Sequence, residues 1–258
     1  MRFAVGLLIG LSACSAGGGL VSGSRAILEL DKKYGDEAAA SPSRRAPEML
    51  AAYEKNLAKA ITHEGLAKLN DEDLKNVFDA AYVAAFYSEA EPPVLGMATV
   101  AAELAHRGKA TGDQTRQLYE AFVTARLWPK ARLLRSANPD LPPLPEIRES
   151  LAALATGARR VYEISKGGGV LTLKELPWGS GPRIVMLTSP FCSRSRSASA
   201  DIEADPVLKA AFAAYALRLN APKLALRAEA LGQGGYVAYK RADWPGLELG
   251  VTPIFYFY

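Results

Sequence analysis

A chain of 258 residues with a net charge of +4 and a mean hydropathy of +0.00 has the composition of a folded protein of one or two domains. Apolar residues make up 49% of the chain and charged residues 22%, which excludes a long disordered protein. The basic residues are dispersed among acidic ones without an aromatic-basic run, so the charge does not predict a nucleic-acid partner.

The N-terminus has the pattern of a secretory signal. Arg2 supplies one positive charge, an apolar core runs from Phe3 to Leu11, and small residues lead to Cys14. This core is far shorter than the roughly 20 residues of a membrane-spanning helix. Leu-Ser-Ala-Cys at positions 11–14 resembles the bacterial lipobox, which implies a signal peptide over residues 1–13 and a lipid on Cys14. A plain signal peptide and a buried first strand are the alternatives.

A lipid on Cys14 implies a protein that is anchored in the cell envelope, faces the periplasm and does not span the membrane. Ser15 directly after Cys14 resembles the sorting signal for the outer membrane, which favours that membrane over the inner one. Residues 14–45 are rich in Gly, Ala and Ser and predict a flexible tether that carries at most a brief helix. With Cys14 lipidated, Cys192 is the one free thiol, which excludes an internal disulfide.

Residues 46–158 are predicted to form an all-α domain. Pro47 suits the first position of a helix, and Asn70 can cap the clearest amphipathic helix, whose apolar residues recur at helical spacing. Short loops between such helices predict either a small bundle or helix hairpins that resemble tetratricopeptide repeats and offer a peptide groove. The absence of a fixed sequence period favours the bundle. Further helices are predicted over residues 93–108, from about Asp113, and over the sequence PKARLLRSA.

After Gly157 the hydrophobic pattern changes to that of strands. The sequences RRVYEIS and VLTLKEL flank the turn KGGG and predict a β-hairpin, while RIVMLT predicts a central strand that is covered on both faces. A helix is expected from Ser197 to Leu219 with a break or kink at Pro206. The sequences VAYKR and IFYFY predict the remaining strands.

The order of motifs over residues 159–258 resembles that of the thioredoxin-like superfamily. A predicted strand leads into Pro-x-Cys-x-x-Ser and a helix, and Val-Thr-Pro later precedes another apolar strand. The resemblance implies an α/β domain in which Cys192 is the reactive thiol at a helix N-terminus, with Ser195 in place of the family's second cysteine. It also implies that Thr252 and a cis Pro253 face the thiol and bind the substrate. The chain stops five residues after Pro253, so the domain is expected to be incomplete at its C-terminus.

The resemblance also implies a chemistry. Free N–H groups and the helix dipole at a helix N-terminus stabilise a thiolate, and Arg194 and Arg196 are expected to add positive potential. Because Ser195 cannot resolve a mixed disulfide, the second thiol must come from outside the chain. The predicted function is monothiol exchange with a protein or small thiol or disulfide substrate, without a cofactor. The alternative is a non-catalytic binding or scaffold lipoprotein that uses the helical domain, with Cys192 as a small buried side chain.

Other candidate sites have weaker patterns. His63 and His106 lie in separate predicted helices without neighbours at metal-ligand spacing, and THEG lacks the second His of a zinc-protease motif, so no metal site is expected. The glycine-rich sequences KGGG and GQGG lack the strand–loop–helix context of a phosphate site and are interpreted as turns. Ser189, Ser193 and Ser197 have no His-Asp partners, which argues against a serine hydrolase.

Overall fold

The computed structural model describes residues 16–36, 42–149, 159–176, 183–189, 191–222, 235–249 and 252–258. The predicted signal peptide and Cys14 lie outside the described residues. A helical N-terminal region precedes a region built on a mixed β-sheet. The described part of the first region contains α1 (Ala16–Asp36), α2 (Pro42–Asn56), α3 (His63–Ala67), α4 (Asp71–Ser88), α5 (Glu91–His106), α6 (Gly112–Thr124) and α7 (Trp128–Ala137).

Helix α4 is the amphipathic helix predicted after Asn70, and its capping is confirmed. The Asn70 side chain accepts a hydrogen bond of 2.8 Å from the N–H of Asp73, and the three acidic residues of the first turn complement the helix dipole. Leu74 and Phe78 are fully buried, which stabilises the fold by roughly 2 kcal/mol for each side chain. The buried face of α4 packs against α1, α2 and α5 and makes it the centre of the helical region.

The prediction of a flexible tether over residues 14–45 is wrong for Ala16–Asp36, which form helix α1. Leu20, Ile27 and Tyr34 recur every seven residues on one face of this helix and are buried against its neighbours. One of the glycines that suggested a tether, Gly23, instead allows close packing. A Cβ at Gly23 would lie 2.4 Å from the carbonyl oxygen of Asn56, at the end of α2.

The remaining helices of this region follow the predicted order with shifted boundaries. Pro47 lies inside α2 and not at its first position. The helix expected over residues 93–108 is α5, and the one expected near Asp113 is α6. A capping box opens α6, because Thr111 accepts from the N–H of Gln114 and the Gln114 side chain accepts from the N–H of Thr111.

The second region contains one sheet whose described strands are β1 (Glu146–Arg148), β2 (Arg160–Ile164), β3 (Val170–Glu175), β4 (Ile184–Thr188), β5 (Ala216–Asn220), β6 (Gly235–Ala238) and β7 (Ile254–Phe257). Their order in the sheet is β1-β3-β2-β6-β5-β4-β7. Strands β2 and β3 form the predicted antiparallel hairpin. Gly167 and Gly168 supply its turn with φ values of 86° and 73°, which favour glycine.

Strand β4 lies between β5, with which it is parallel, and β7, with which it is antiparallel. Helices α8 (Ser193–Ala204) and α9 (Pro206–Tyr215) connect β4 to β5. Strand β6 continues the parallel arrangement beside β5 and joins it to the hairpin through antiparallel pairing with β2. The carboxyl ends of the adjacent parallel strands β4, β5 and β6 therefore lie on the same side of the sheet.

The single kinked helix expected from Ser197 to Leu219 is wrong. The helix α8 starts earlier, α9 follows after Asp205, and the end of the segment is strand β5. The Asp205 side chain accepts hydrogen bonds from two N–H groups at the start of α9, so Pro206 begins a new helix there. Strand β5 could not be predicted from the sequence, because Leu219 continues the helical spacing of the apolar residues before it.

The all-α domain expected over residues 46–158 also needs a correction. Residues Glu146–Arg148 form β1, which pairs in parallel with Val170–Thr172 of β3. A strand of three residues after a proline-rich segment carries too little periodicity to be predicted. The sheet therefore begins before the expected boundary between residues 158 and 159.

One apolar core spans both regions. The cluster that contains the buried side chains of α1 to α7 also contains Tyr162 of β2, Leu171 of β3 and Val237 of β6. A second cluster lies farther along the sheet, where Trp244 and Leu249 cover Val185 and Leu219. The helical region thus packs on the half of the sheet that is farther from β4.

Arg126 is a buried connection between the two regions. Its side chain is 7% exposed and donates hydrogen bonds to the carbonyl oxygens of Tyr239 (3.1 Å), Pro222 (2.9 Å) and Ala238 (3.0 Å). Its guanidinium carbon also lies 5.2 Å from the centre of the Tyr162 ring. Pro222 follows β5, Ala238 is the last residue of β6 and Tyr239 comes directly after it, so the helical region contacts the carboxyl ends of these two strands.

The substitution Arg126→Leu is expected to lower the free energy of unfolding by about 2–4 kcal/mol, because it leaves several buried carbonyl groups without a donor. Urea unfolding followed by circular dichroism measures this loss. Arg132→Leu is the matched control, since Arg132 is exposed on α7, and we expect a change within about 0.5 kcal/mol. Equal effects of the two substitutions would contradict the connecting role of Arg126.

Candidate functional site

Cys192 lies where the chain turns from β4 into α8. It is the N-cap residue of α8, with φ −85° and ψ 118°, and its N–H donates a 3.1 Å hydrogen bond to the carbonyl of Ser189. The N–H of Arg196 donates to the carbonyl of Cys192 at 3.0 Å and begins the helical pattern. This geometry directs the free N–H groups of the first helical turn toward the residue that carries the thiol.

Thr252 contacts the Cys192 thiol from the segment that leads into β7, the strand next to β4. The Cys192 Sγ atom lies 3.3 Å from the Thr252 carbonyl oxygen, and the Thr252–Pro253 peptide bond is cis. Strand β7 begins at the next residue, where Ile254 pairs with Leu187 of β4. The antiparallel pairing of β7 with β4 thus brings Thr252 next to Cys192.

Hydrogen bonds lower the pKa of the Cys192 thiol below its ordinary value, to about 7. The backbone N–H of Ser195 is the largest cause, followed by the side chains of Thr252 and Ser195, and the N–H of Arg194 adds to them. Partial burial opposes the shift, because it disfavours the charged form. The Cys192 thiol therefore ionises more readily at neutral pH than an ordinary cysteine does.

Ser195 is buried beneath the thiol. Its side chain accepts a 3.3 Å hydrogen bond from the N–H of Ser189, and the residue is 1% exposed. The hydroxyl therefore connects the end of β4 to the start of α8 and also bonds the sulfur of Cys192. Cys192 is a free cysteine, and within the described part of the chain no other sulfur is available to form a disulfide with it.

The structure brings four of the predicted site residues together, namely Cys192, Ser195, Thr252 and Pro253. Arg194 and Arg196 lie in the first turn of α8 with exposed side chains. Arg194 affects the thiol through its backbone N–H, and the N–H of Arg196 serves the helix itself. The predicted lipidation site, Cys14, lies outside the described residues.

Ser189 is a site residue that the sequence interpretation missed. Its carbonyl accepts from Cys192, its N–H donates to Ser195, and its own hydroxyl accepts a 3.3 Å hydrogen bond from the N–H of Phe191. Three hydrogen bonds thus fix the turn that presents the thiol. The available signal was a serine directly after a buried strand and before a proline, a pattern typical of side-chain-stabilised turns.

Neither histidine lies in a cluster of possible metal ligands. Over the residues that the structure describes, no group of three His, Cys, Asp or Glu side chains is placed to hold a metal ion. The same residues include no helix that is both long and apolar enough to cross a membrane. The sequence KGGG forms the hairpin turn described above, while most of GQGG lies outside the described residues.

Comparisons of the chain with protein-family models, with curated proteins and with solved structures found no match.

Alkylation by iodoacetamide should report the lowered pKa of Cys192. In the full chain carrying Cys14→Ser, the rate is expected to reach half of its maximum near pH 7 when the protein is folded, and near about pH 8.5 in denaturant. Because the folded-state pKa is the lower one, the ionised thiol favours folding above about pH 8.5, and this contribution is lost as the pH falls through about 7.

The variant Ser195→Ala separates the hydroxyl from the backbone in this experiment. It removes one of the hydrogen bonds that lower the pKa but keeps the N–H at position 195, so the midpoint should rise by up to about one pH unit. A folded chain with Cys14→Ser alone whose midpoint lies at pH 8.5 or above would contradict the stabilisation of the thiolate.

Proposed function

We propose that the sheet region is a thioredoxin-like domain and that Cys192 is its nucleophile in thiol–disulfide exchange. The observation that carries the proposal is the position of the Cys192 sulfur. It lies at the N-terminus of α8, 3.3 Å from the carbonyl oxygen of Thr252, and the pKa of the thiol is near 7. A strand that leads into a cysteine at a helix start, faced by Thr-Pro, is the arrangement that the sequence resemblance implies. Strand β7, which follows Pro253, pairs antiparallel with β4 on the side opposite β5, and this position supports the same interpretation.

The first step of the proposed reaction forms a mixed disulfide. The thiolate of Cys192 attacks one sulfur of a substrate disulfide, a new S–S bond forms, and the other substrate sulfur leaves as a thiolate. The N–H groups of Ser195 and Arg194 stabilise the attacking anion. Thr252 lies beside the reacting sulfur, where its backbone and side chain can orient the substrate.

The second step needs a thiol from another molecule. Ser195 stands three residues after Cys192, and its hydroxyl cannot form a disulfide. A thiolate of a protein or small molecule therefore attacks the mixed disulfide, takes the substrate sulfur and releases the thiolate of Cys192. The reaction exchanges one disulfide for another, and no external oxidant or cofactor is consumed.

We also propose that the chain works in the cell envelope, held by a lipid on Cys14 and facing the periplasm, with the outer membrane as its location. The apolar core of the N-terminus and the Leu-Ser-Ala-Cys sequence support this proposal. Helix α1 begins at Ala16, two residues after Cys14, so the anchor would lie close to the folded helical region.

Glutathione disulfide is a suitable probe of the exchange reaction. With Cys14→Ser in the chain, mass spectrometry should find one glutathionyl group on Cys192 at pH 7, and added reduced glutathione should remove it. Adding Ser195→Cys restores the spacing of a dithiol, so this variant should expel the glutathione and form an internal disulfide. Ser136→Cys is the matched control, because Ser136 is exposed on α7 and its thiol should leave the adduct on Cys192.

An adduct that forms no faster in the folded protein than in urea at pH 7 would contradict the proposal. It would leave non-catalytic binding through the helical region as the better description of the protein.

Metabolic labelling with an alkyne fatty acid tests the lipid anchor. The full chain made in a diderm bacterium should carry the label and sediment with the membranes, because an acylated Cys14 inserts its chains into the bilayer. The variant Cys14→Ser should lose the label and leave the membrane fraction, whereas Cys192→Ser should keep both properties. Labelling that persists without Cys14 would contradict the lipobox interpretation.

A further inference from the structure

The segment between β6 and β7 carries Thr252 to the candidate site. It covers residues 239–253, of which the structure describes 239–249 and 252–253, and we call it the β6–β7 segment. A short 3-10 helix (Arg241–Asp243) lies near its start, and the cis peptide bond between Thr252 and Pro253 lies at its end. The contacts that hold this segment therefore influence the distance between Thr252 and the sulfur of Cys192.

Arg160, the first residue of β2, holds the start of the β6–β7 segment. Its guanidinium donates one hydrogen bond from Nε and one from Nη2 to the two oxygens of the Asp243 carboxylate. Its carbonyl oxygen accepts from the N–H of Tyr239 at 3.0 Å and from the indole N–H of Trp244 at 3.1 Å. Strand β2 lies inside the sheet between β3 and β6, so these hydrogen bonds tie the segment to an internal strand.

Trp244 and Leu249 tie the segment to β4, the strand that leads to the thiol. Both side chains are 2% exposed and belong to the apolar cluster that contains Val185 and Leu187 of β4. Leu249 precedes Thr252 by three residues, and three residues of chain span at most about 11 Å. The packing of Leu249 therefore limits how far Thr252 can move from β4.

The ion pair between Arg160 and Asp243 is largely withdrawn from water. The Asp243 side chain is 5% exposed and that of Arg160 is 27% exposed. Such a pair adds little net stability compared with apolar side chains of similar size, because both groups lose their hydration. Two parallel hydrogen bonds between a guanidinium and a carboxylate do, however, permit only one relative orientation of the two groups. These features favour a role in fixing geometry over a role in stability alone.

We propose that Arg160, Asp243 and Trp244 are positioning residues of the candidate site. They fix the β6–β7 segment against β2 and β4 and thereby hold Thr252 beside the sulfur of Cys192. The paired charges of Arg160 and Asp243 offset each other, so the pair acts through the position of Thr252 and not through its own field. This inference rests on the function proposed above only in taking Cys192 as the reacting group.

Thr252 is the part of the site that this arrangement affects. Its side chain is the second largest cause of the lowered pKa of the Cys192 thiol. A shift of Thr252 away from the sulfur would weaken this hydrogen bond and raise the pKa toward that of an ordinary cysteine. The N–H of Ser195 belongs to α8 and would stay in place, so loss of the positioning residues should remove only part of the lowering.

Alkylation by iodoacetamide across pH, in the full chain with Cys14→Ser, tests the proposal. Asp243→Ala leaves Arg160 without its carboxylate and should raise the midpoint of the rate by about half a pH unit. Asp243→Asn keeps the shape and one acceptor oxygen, so its midpoint should lie between those of Asp243→Ala and the parent chain. Leu74→Ala is the control for lost stability, because Leu74 is fully buried in the helical region, and it should leave the midpoint unchanged.

The variant Thr252→Val separates positioning from a general loosening of the fold. It removes the hydroxyl and should raise the midpoint on its own. If Asp243 acts through Thr252, the two effects are not additive, and Asp243→Ala should raise the midpoint of the Thr252→Val chain by less than about 0.2 pH unit. A further rise of about half a pH unit there would contradict action through Thr252.

Trp244→Phe tests the same arrangement without breaking the ion pair. It keeps an aromatic ring in the core but removes the donor to the Arg160 carbonyl, so the midpoint should rise by about 0.2–0.3 pH unit. Circular dichroism checks that each variant is folded, and if Asp243→Ala is not, Asp243→Asn and Trp244→Phe decide the question. Midpoints of the folded variants within about 0.1 pH unit of the parent chain would overturn the proposal, as would an equal shift in Leu74→Ala.

The exchange reaction proposed for Cys192 can fail separately from this positioning role. Alkylation reports the ionisation of the thiol whether or not a disulfide reacts with it. A chain that shows the expected shifts but forms no adduct with glutathione disulfide would contradict the exchange reaction and leave the positioning role intact.

Discussion

The position of β4 between β5 and β7 is the constraint on which the candidate site depends. Parallel pairing with β5 requires a connection that crosses over the sheet, and α8 starts this connection directly after β4. Antiparallel pairing with β7 brings Thr252 to the same edge, although 60 residues separate it from Cys192. Val185, Met186 and Leu187 are almost completely buried and hold β4 in place. Strand register therefore sets the distance between the sulfur and Thr252.

Hydrogen bonds from backbone and side-chain groups are the largest causes of the lowered pKa of the Cys192 thiol. The side chains of Arg194 and Arg196 are exposed, and water screens the attraction between an exposed guanidinium and a thiolate. An N–H group at hydrogen-bond distance acts without water in between, which explains why the backbone of Ser195 has the largest effect on the pKa. The backbone N–H of Arg194 lowers the pKa of the Cys192 thiol, whereas an effect of the two guanidinium groups on the thiolate stays a prediction.

The sequence predicted those elements whose signals are local. The cap at Asn70, the glycine turn between β2 and β3, and the change from a buried strand to a helix at Cys192 each appear within a few residues. Strand β5 and helix α1 could not be predicted in this way. The apolar residues of β5 continue the spacing of α9, and Gly23 of α1 has a packing role only because the end of α2 lies against it. The contact between Cys192 and Thr252 was available through resemblance alone, because no local pattern reports which strands pair.

The hydrogen bonds of Arg126 join the helical region to the sheet region. Its three long-range hydrogen bonds end on carbonyls at or just after the ends of β5 and β6, and the apolar core continues from the helices into β2 and β3. A fragment cut between the regions would expose this core and leave the carbonyls without donors. We therefore expect the two regions to unfold together, and a helical region exchanged by recombination would require changes in the sheet.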